Sequence, residues 1–126
     1  MLREVQNVRQ VPGEQPRRWF EDERFDLIIW LDPGGEIVGV QLCYDKDVGK
    51  ERALTWRKGR GFAHHRVDDG ERQPGTFKMT PILVADDTAG VGNLLRDFLA
   101  ASRELDPAIV AAVVDVIKRY SDTAAR

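Results

Sequence analysis

The sequence holds one cysteine, Cys43, and two histidines, the adjacent His64 and His65. A lone thiol excludes an internal disulfide and any zinc site built from several cysteines, and a free thiol suits a reducing compartment. No apolar run approaches the roughly 20 residues of a membrane helix. The opening MLREVQNVRQ carries charges where a secretion signal needs an apolar core. These absences place the expected protein in the cytoplasm, with no membrane partner. A net charge of −2 also argues against a nucleic-acid footprint spread over the whole surface. There is no internal repeat and no low-complexity segment. What remains is an ordinary composition for a soluble domain, 42% hydrophobic and 32% charged over 126 residues, enough to close one core without covalent staples.

The expected fold class is α+β: an antiparallel β-meander of four to six strands followed by two C-terminal amphipathic helices packed on one sheet face. The whole chain, 1–126, reads as a single domain, mainly β over 1–85 and a helical pair over 86–122. In RFDLIIWLD, residues Phe25, Leu27, Ile29 and Leu31 fall on one side, and β-branched and aromatic residues dominate. Asp32-Pro33-Gly34-Gly35 then supplies a proline that pre-sets φ and glycines that accept φ > 0, so the chain should reverse into a hairpin. In EIVGVQLCY, Val38, Val40, Leu42 and Tyr44 share a side. Pairing that side with Leu27 and Ile29 makes one continuous apolar face, and a bulge at Gly35 would shift the register by one.

RALTW (52–56) and GFAHHRV (61–67) read as two further strands around a glycine-containing reversal, Arg57 to Arg60. Ahead of them, LREVQNVRQV reads as an edge strand and Arg18-Trp19-Phe20 as a short extended piece. VDDGERQPGT reads as a loop, and FKMTPILVA as an edge or broken strand because of Pro81. From Val91 the apolar residues 91, 94, 95, 98, 99 and 105 keep a helical spacing, with Asp86, Asp87 or Thr88 as cap and Gly90 and Gly92 weakening the first turn. Asp106-Pro107 is a second helix start, followed by a stripe of Ile109, Val110, Val113, Val114, Ile117 and Tyr120.

Charge is unevenly distributed. Lys50, Arg52, Arg57, Lys58, Arg60 and Arg66 face only Glu51, a local +5 that leaves −7 elsewhere. Such a block is ordinarily a solvated face, and less often an electrostatic contact surface. Inside it, RGFAHHRV begins like the signature octamer of an RNA-recognition motif, but His64 occupies the second aromatic position and no helix pattern precedes the strand. What survives is a basic strand with Phe62, His64 and Arg66 on one side and Trp56 across the turn, able to stack on bases or simply to pack.

His64 and His65 lie near Asp68 and Asp69, which suggests a metal or acid/base cluster. Adjacent strand residues point to opposite faces, so at most one histidine can join a single site. The plain alternative has one imidazole in the core or at its rim, the other in solvent, and VDDG as a turn. No cofactor and no metal is implied. PILVADD resembles the acidic first strand of a receiver domain, yet too few residues follow for that fold. Gly90-Val91-Gly92 lacks a third glycine, and its neighbours Asp86 and Asp87 would repel a phosphate. Cys43 reads as a buried structural residue rather than a nucleophile.

The runs VRQVPG, RRWFEDERFDLIIW, GVQLCYDK, ERALTW and HHRVDDGERQPG span most of the chain. On them the sequence resembles a small family of uncharacterised bacterial proteins, and the resemblance implies a shared compact fold but no activity, cofactor or partner.

Three functional readings follow. The first is a non-enzymatic binding or assembly module in which the sheet face left by the helices, or an edge strand, meets a protein partner or a second copy to form a homodimer. That face would carry Asp26, Ile28, Trp30, Ile37, Gly39, Gln41 and Cys43, with Trp30 and Gln41 as binding candidates, and a monomer by sedimentation with Trp30 fully buried in its own chain would count against it. The second is nucleic-acid binding through the basic hairpin 50–66, with Arg52, Arg57, Lys58, Arg60 and Arg66 on phosphates and Trp56 or Phe62 stacking. The third is a small enzyme with His64 or His65 as general acid or base beside Asp68 or Asp69.

Overall fold

The computed structural model describes residues 1–49, 51–66 and 88–124. Six strands follow one another in chain order and in space: β1 (Arg3–Glu4), β2 (Arg17–Glu21), β3 (Asp26–Leu31), β4 (Ile37–Tyr44), β5 (Arg52–Arg57) and β6 (Gly61–Arg66). Every neighbouring pair is antiparallel, as short reversals require. Two helices come after them, α1 (Thr88–Ala101) and α2 (Pro107–Ala124). This is the α+β arrangement expected from the sequence. The 67–87 stretch, with its expected loop and broken strand, lies outside the described residues, as do the caps Asp86 and Asp87.

Aspartates set the reversals. Asp22 Oδ1 accepts the backbone N–H of Arg24 (2.8 Å) and of Phe25 (2.7 Å), closing the β2–β3 turn. Asp32 Oδ1 accepts the N–H of Glu36 at 2.8 Å, and Gly35, at φ +87°, donates to the Asp32 carbonyl. Asp106 caps α2 through the N–H of Ala108 at 2.9 Å, with Pro107 as the first helical residue.

Alternation then sorts the side chains. Phe20, Leu27, Leu42, Leu54 and His64 form one row straight across β2 to β6. Ile29, Val40, Trp56 and Phe62 form a second row on the same face. Against this face pack Leu94 and Phe98 of α1 and Ile109, Val113, Val116 and Ile117 of α2, all buried. Phe98 is fully buried and meets Phe25 edge-on, with ring centroids 6.3 Å apart. Leu2 joins the same core and donates its N–H to the Ala101 carbonyl, tying the chain ahead of β1 to the end of α1.

Two expectations need correction. The register does shift, but at Val38 rather than Gly35: Trp30 pairs with Gly39 and Leu31 with Ile37, so Val38 is the extra residue of a bulge. Ile37 therefore packs with Leu31 against the core, not on the opposite face. The packing beside the bulge is tight. Trp30 and Arg57 are the two register partners of Gly39, and the Arg57 guanidinium carbon sits 4.3 Å from the centre of the indole. A methyl group on Gly39 would lie 2.9 Å from both Trp30 Cε3 and Arg57 Cδ, so only glycine fits beneath the stacked pair. Gly39→Ala is accordingly expected to lower stability by about 1–3 kcal/mol and to shift the tryptophan fluorescence, measured by urea unfolding. A variant as stable as the parent would show that the stack yields without cost.

Candidate functional site

The residues singled out in the sequence divide between the two sheet faces. Trp56 and Phe62 pair directly across β5 and β6 and are half-buried under α2. The Phe62 ring lies 6.2 Å from that of Tyr120, and the Arg119 guanidinium carbon stands 5.7 Å from Trp56 and 5.4 Å from Phe62. The surface on which bases would stack is thus occupied within the chain. Lys58 and Arg60 are exposed in the β5–β6 turn, while Arg57 lies on the far face over Trp30. Burial, and the nearby charge of Arg60, hold the Arg57 guanidinium below its ordinary pKa. Arg66 ends β6 opposite Arg52. Asp68 and Asp69 lie outside the described residues.

His64 and His65 do point to opposite faces, yet both are buried, which corrects the expectation of one in solvent. His64 sits among aromatic rings: its Nε2 shares a hydrogen bond of 2.5 Å with Tyr44 Oη, and the Tyr120 centroid is 5.4 Å away. Burial pushes the Tyr44 phenol up to about 12. It therefore keeps its proton at ordinary pH and donates it to Nε2 when the imidazole carries its hydrogen on Nδ1. His65 shares a row on the other face with Asp26, Cys43 and Ala53. Trp30, Cys43 and Thr55 on that face are buried, Thr55 completely, whereas Trp19, Ile28 and Gln41 are half-buried. Trp30 is buried, at 7% exposure. The Gln41 amide lies 3.6 Å from Cys43 Sγ.

A different place gathers polar groups from separate parts of the chain. At the end of β4, where the apolar rows stop, Tyr44 pairs in register with Arg52. Beside them Arg24, Phe25 and Asp45 come from flanking turns and Asn93, Leu94 and Asp97 from α1, enclosing a cleft of about 150 Å³. Arg24 spans it, its Nη2 lying 2.9 Å from Asp97 Oδ2 and 3.4 Å from Asp45 Oδ1. Asp45 itself is held in the left-handed region, at φ +61°, which asparagine and aspartate tolerate better than other side chains. The reversal there, completed by the 3₁₀ turn Lys46–Val48, swings the Asp45 carboxylate toward Arg24. Asn93 and Asp97 are one helical turn apart and flank buried Leu94. Tyr44 senses both signs of charge: Arg52 lowers its pKa and Asp45 raises it, beneath the larger effect of burial.

Of these residues only Arg52 was a candidate from sequence. Tyr44 was legible as part of an apolar strand face. Residues 93 and 97 were legible only as the polar rim of an amphipathic helix, because that spacing is common to every such rim. Among the described residues no group of three or more histidine, cysteine, aspartate or glutamate side chains is placed to hold a metal ion, and no helix is long and apolar enough to cross a membrane. No protein-family model matches the chain, and neither a curated protein nor a solved structure matches it.

His65 gives a pH prediction. Burial holds its imidazole below the ordinary value, so as pH falls through about 6.5 the unfolded chain takes up a proton first. Its contribution is complete above that pH and is lost on acidification toward the folded-state pKa. Urea midpoints at about pH 7.5 and about pH 5 should fall with acid in the parent and fall less in His65→Gln. Equal acid sensitivity in the two proteins would assign the loss to other groups.

Proposed function

We propose that the protein is a small non-enzymatic binding module and that its ligand enters the cleft between the end of β4 and α1. The observation that supports this reading is convergence: Arg24, Tyr44, Asp45, Arg52, Asn93 and Asp97 come from four stretches of chain and line one concavity. Polar groups of this kind fix the orientation of a bound molecule, while Phe25 and Leu94 supply an apolar wall. Binding is favoured over catalysis by the state of the groups present. Burial raises the Tyr44 phenol to about 12, so it stays protonated near neutral pH, the His64 ring lies behind it at 2% exposure, and neither Cys43 nor His65 faces this side of the sheet.

Asn93 is exposed on α1, so Asn93→Leu, a good helix former, should fill the cleft without unfolding the chain. Thermal shift measurements with amino acids, carboxylates, amines and inorganic phosphate are expected to show stabilisation by at least one class, lost in Asn93→Leu. Stabilisation by none of them, or stabilisation that survives in the variant, would refute the cleft as the site.

A second reading, self-association through the face opposite the helices, is supported by Trp19 and Ile28. They pair in register, both half-buried, and Trp19 Nε1 is buried without an acceptor. It predicts a dimer by sedimentation that Ile28→Lys dissolves; a monomer at all concentrations removes it.

A further inference from the structure

From the way Arg57 is held we infer that the end of the sheet bearing the β5–β6 turn is a contact surface for single-stranded nucleic acid, gripped through its phosphates by Arg57, Lys58 and Arg60 without reading of sequence. This surface lies apart from the cleft, and the inference does not depend on it.

The register divides the basic block of the sequence. Arg52 pairs with Arg66 at one end of the β5–β6 hairpin, whereas Arg57 pairs with Gly61 at the other, about 17 Å along the strand. Lys58 and Arg60 follow in the turn, which closes through the Arg60 N–H on the Arg57 carbonyl at 2.9 Å, with Gly59 at φ +81°. Both side chains are exposed. A methyl group on Gly59 or Gly61 would meet nothing within 4 Å, so the turn is open on that side. Trp56 and Phe62, taken up under α2 on the other face, have no part in this surface.

Arg57 is fixed before any ligand arrives. Its stem lies across bare Gly39, where a methyl group would fall 2.9 Å from Cδ and 3.1 Å from Nε, and its guanidinium carbon is 4.3 Å from the centre of the Trp30 indole. The rotamer freedom that an ordinary surface arginine gives up on binding has here been given up on folding. Its donors are nevertheless unused. Among the described residues the guanidinium makes no hydrogen bond and no ion pair, and none of its nitrogens is closed off from solvent. A planar fork of this kind matches phosphate oxygens two at a time. Nearby charges leave it electropositive, since the repulsion from Arg60 exceeds the attraction of Glu14. Lys58 stands 3.8 Å from Glu36, but both are mostly exposed, at 61% and 66%, and water screens such a pair. Arg17, the register partner of Trp30 on β2, adds a fourth cation.

One fixed guanidinium beside two mobile side chains holds a single small anion weakly. A phosphate backbone is different, because it carries condensed counterions whose release drives association without exact geometry from Lys58 and Arg60. Helices α1 and α2 pack on the opposite sheet face, so neither is placed here to enter a groove and read base edges. Unpaired bases stack on guanidinium planes as they do on aromatic rings, which favours a single strand over a duplex.

The test is fluorescence anisotropy of the intact chain with labelled oligothymidylate and oligoadenylate of about 16 nucleotides, with circular dichroism as the check on folding. Both are expected to bind with comparable affinity, and log K to fall with log salt at a slope of about −2, three phosphates at about 0.7 each. Arg60→Gln, in an exposed turn, should reduce the steepness by about 0.7 and weaken binding about fivefold at about 0.1 M salt. Arg103→Gln, exposed between α1 and α2, should change neither, and Asn93→Leu should leave binding intact. No binding at low salt, or an equal loss in Arg103→Gln, overturns the surface. Loss in Asn93→Leu moves the nucleic acid to the cleft and overturns it as well. Polyglutamate binding as tightly as the oligonucleotides would make the partner an acidic polypeptide instead. The comparison of probes on the unaltered chain stands whatever the substitutions do to folding.

Discussion

Everything in this fold follows from one row of side chains crossing the sheet at right angles to its strands. Phe20, Leu27, Leu42, Leu54 and His64 are successive register partners from β2 to β6. Because strand side chains alternate, fixing this row fixes the face of every other residue. The row is buried throughout, at 2% exposure or less, and a slip of one residue in any strand would turn its member of the row away from the helices. The helices therefore have a single face to cover. Their stripes, Leu94 with Phe98 and Ile109 with Val113, Val116 and Ile117, meet it.

The cleft is the same geometry carried one step further along the strands. Moving from the Leu42 row toward the β4–β5 reversal, the next pair on the helix-covered face is Tyr44 with Arg52. There the core turns polar while still partly roofed by α1. A phenol and a guanidinium at that position are screened less than on an open surface, and the Arg24 bridge from Asp45 to Asp97 fastens α1 to the sheet at the same point. Partly exposed ion pairs of this kind contribute little net stability because water screens the attraction and ordering two side chains opposes it. Their larger effect is to fix where the helix sits, and with it the width of the cleft.

Most of the fold was legible because its signals are local. Asp32 to Gly35 dictates a reversal from its own backbone preferences, Asp106-Pro107 starts a helix through a cap and a missing N–H, and periodicities of two and of three to four separate strands from helices. The bulge at Val38 was not legible, and neither was the packing beside it, the meeting of Trp30 and Arg57, 27 positions apart in sequence, over Gly39. The burial of His65 was missed for a related reason: alternation tells which way a side chain points, not whether that side is closed. The candidate site was the least legible part. Arg24 reads in sequence as one base among acids, Glu21 to Glu23, and only the folded chain brings it to Asp97, 73 residues later.

The stacked pair above Gly39 joins three strands in a single steric choice. An indole from β3 and a guanidinium from β5 share the space that a side chain on β4 would otherwise fill. Positions 30, 39 and 57 are consequently expected to vary together. A relative carrying alanine or serine at the middle position would need a smaller ring on one side and a shorter or redirected chain on the other. Its bulge would then lose the close packing beside Val38. Joint variation at these three positions would thus mark which relatives share this register and which have let the β3–β4 hairpin slide.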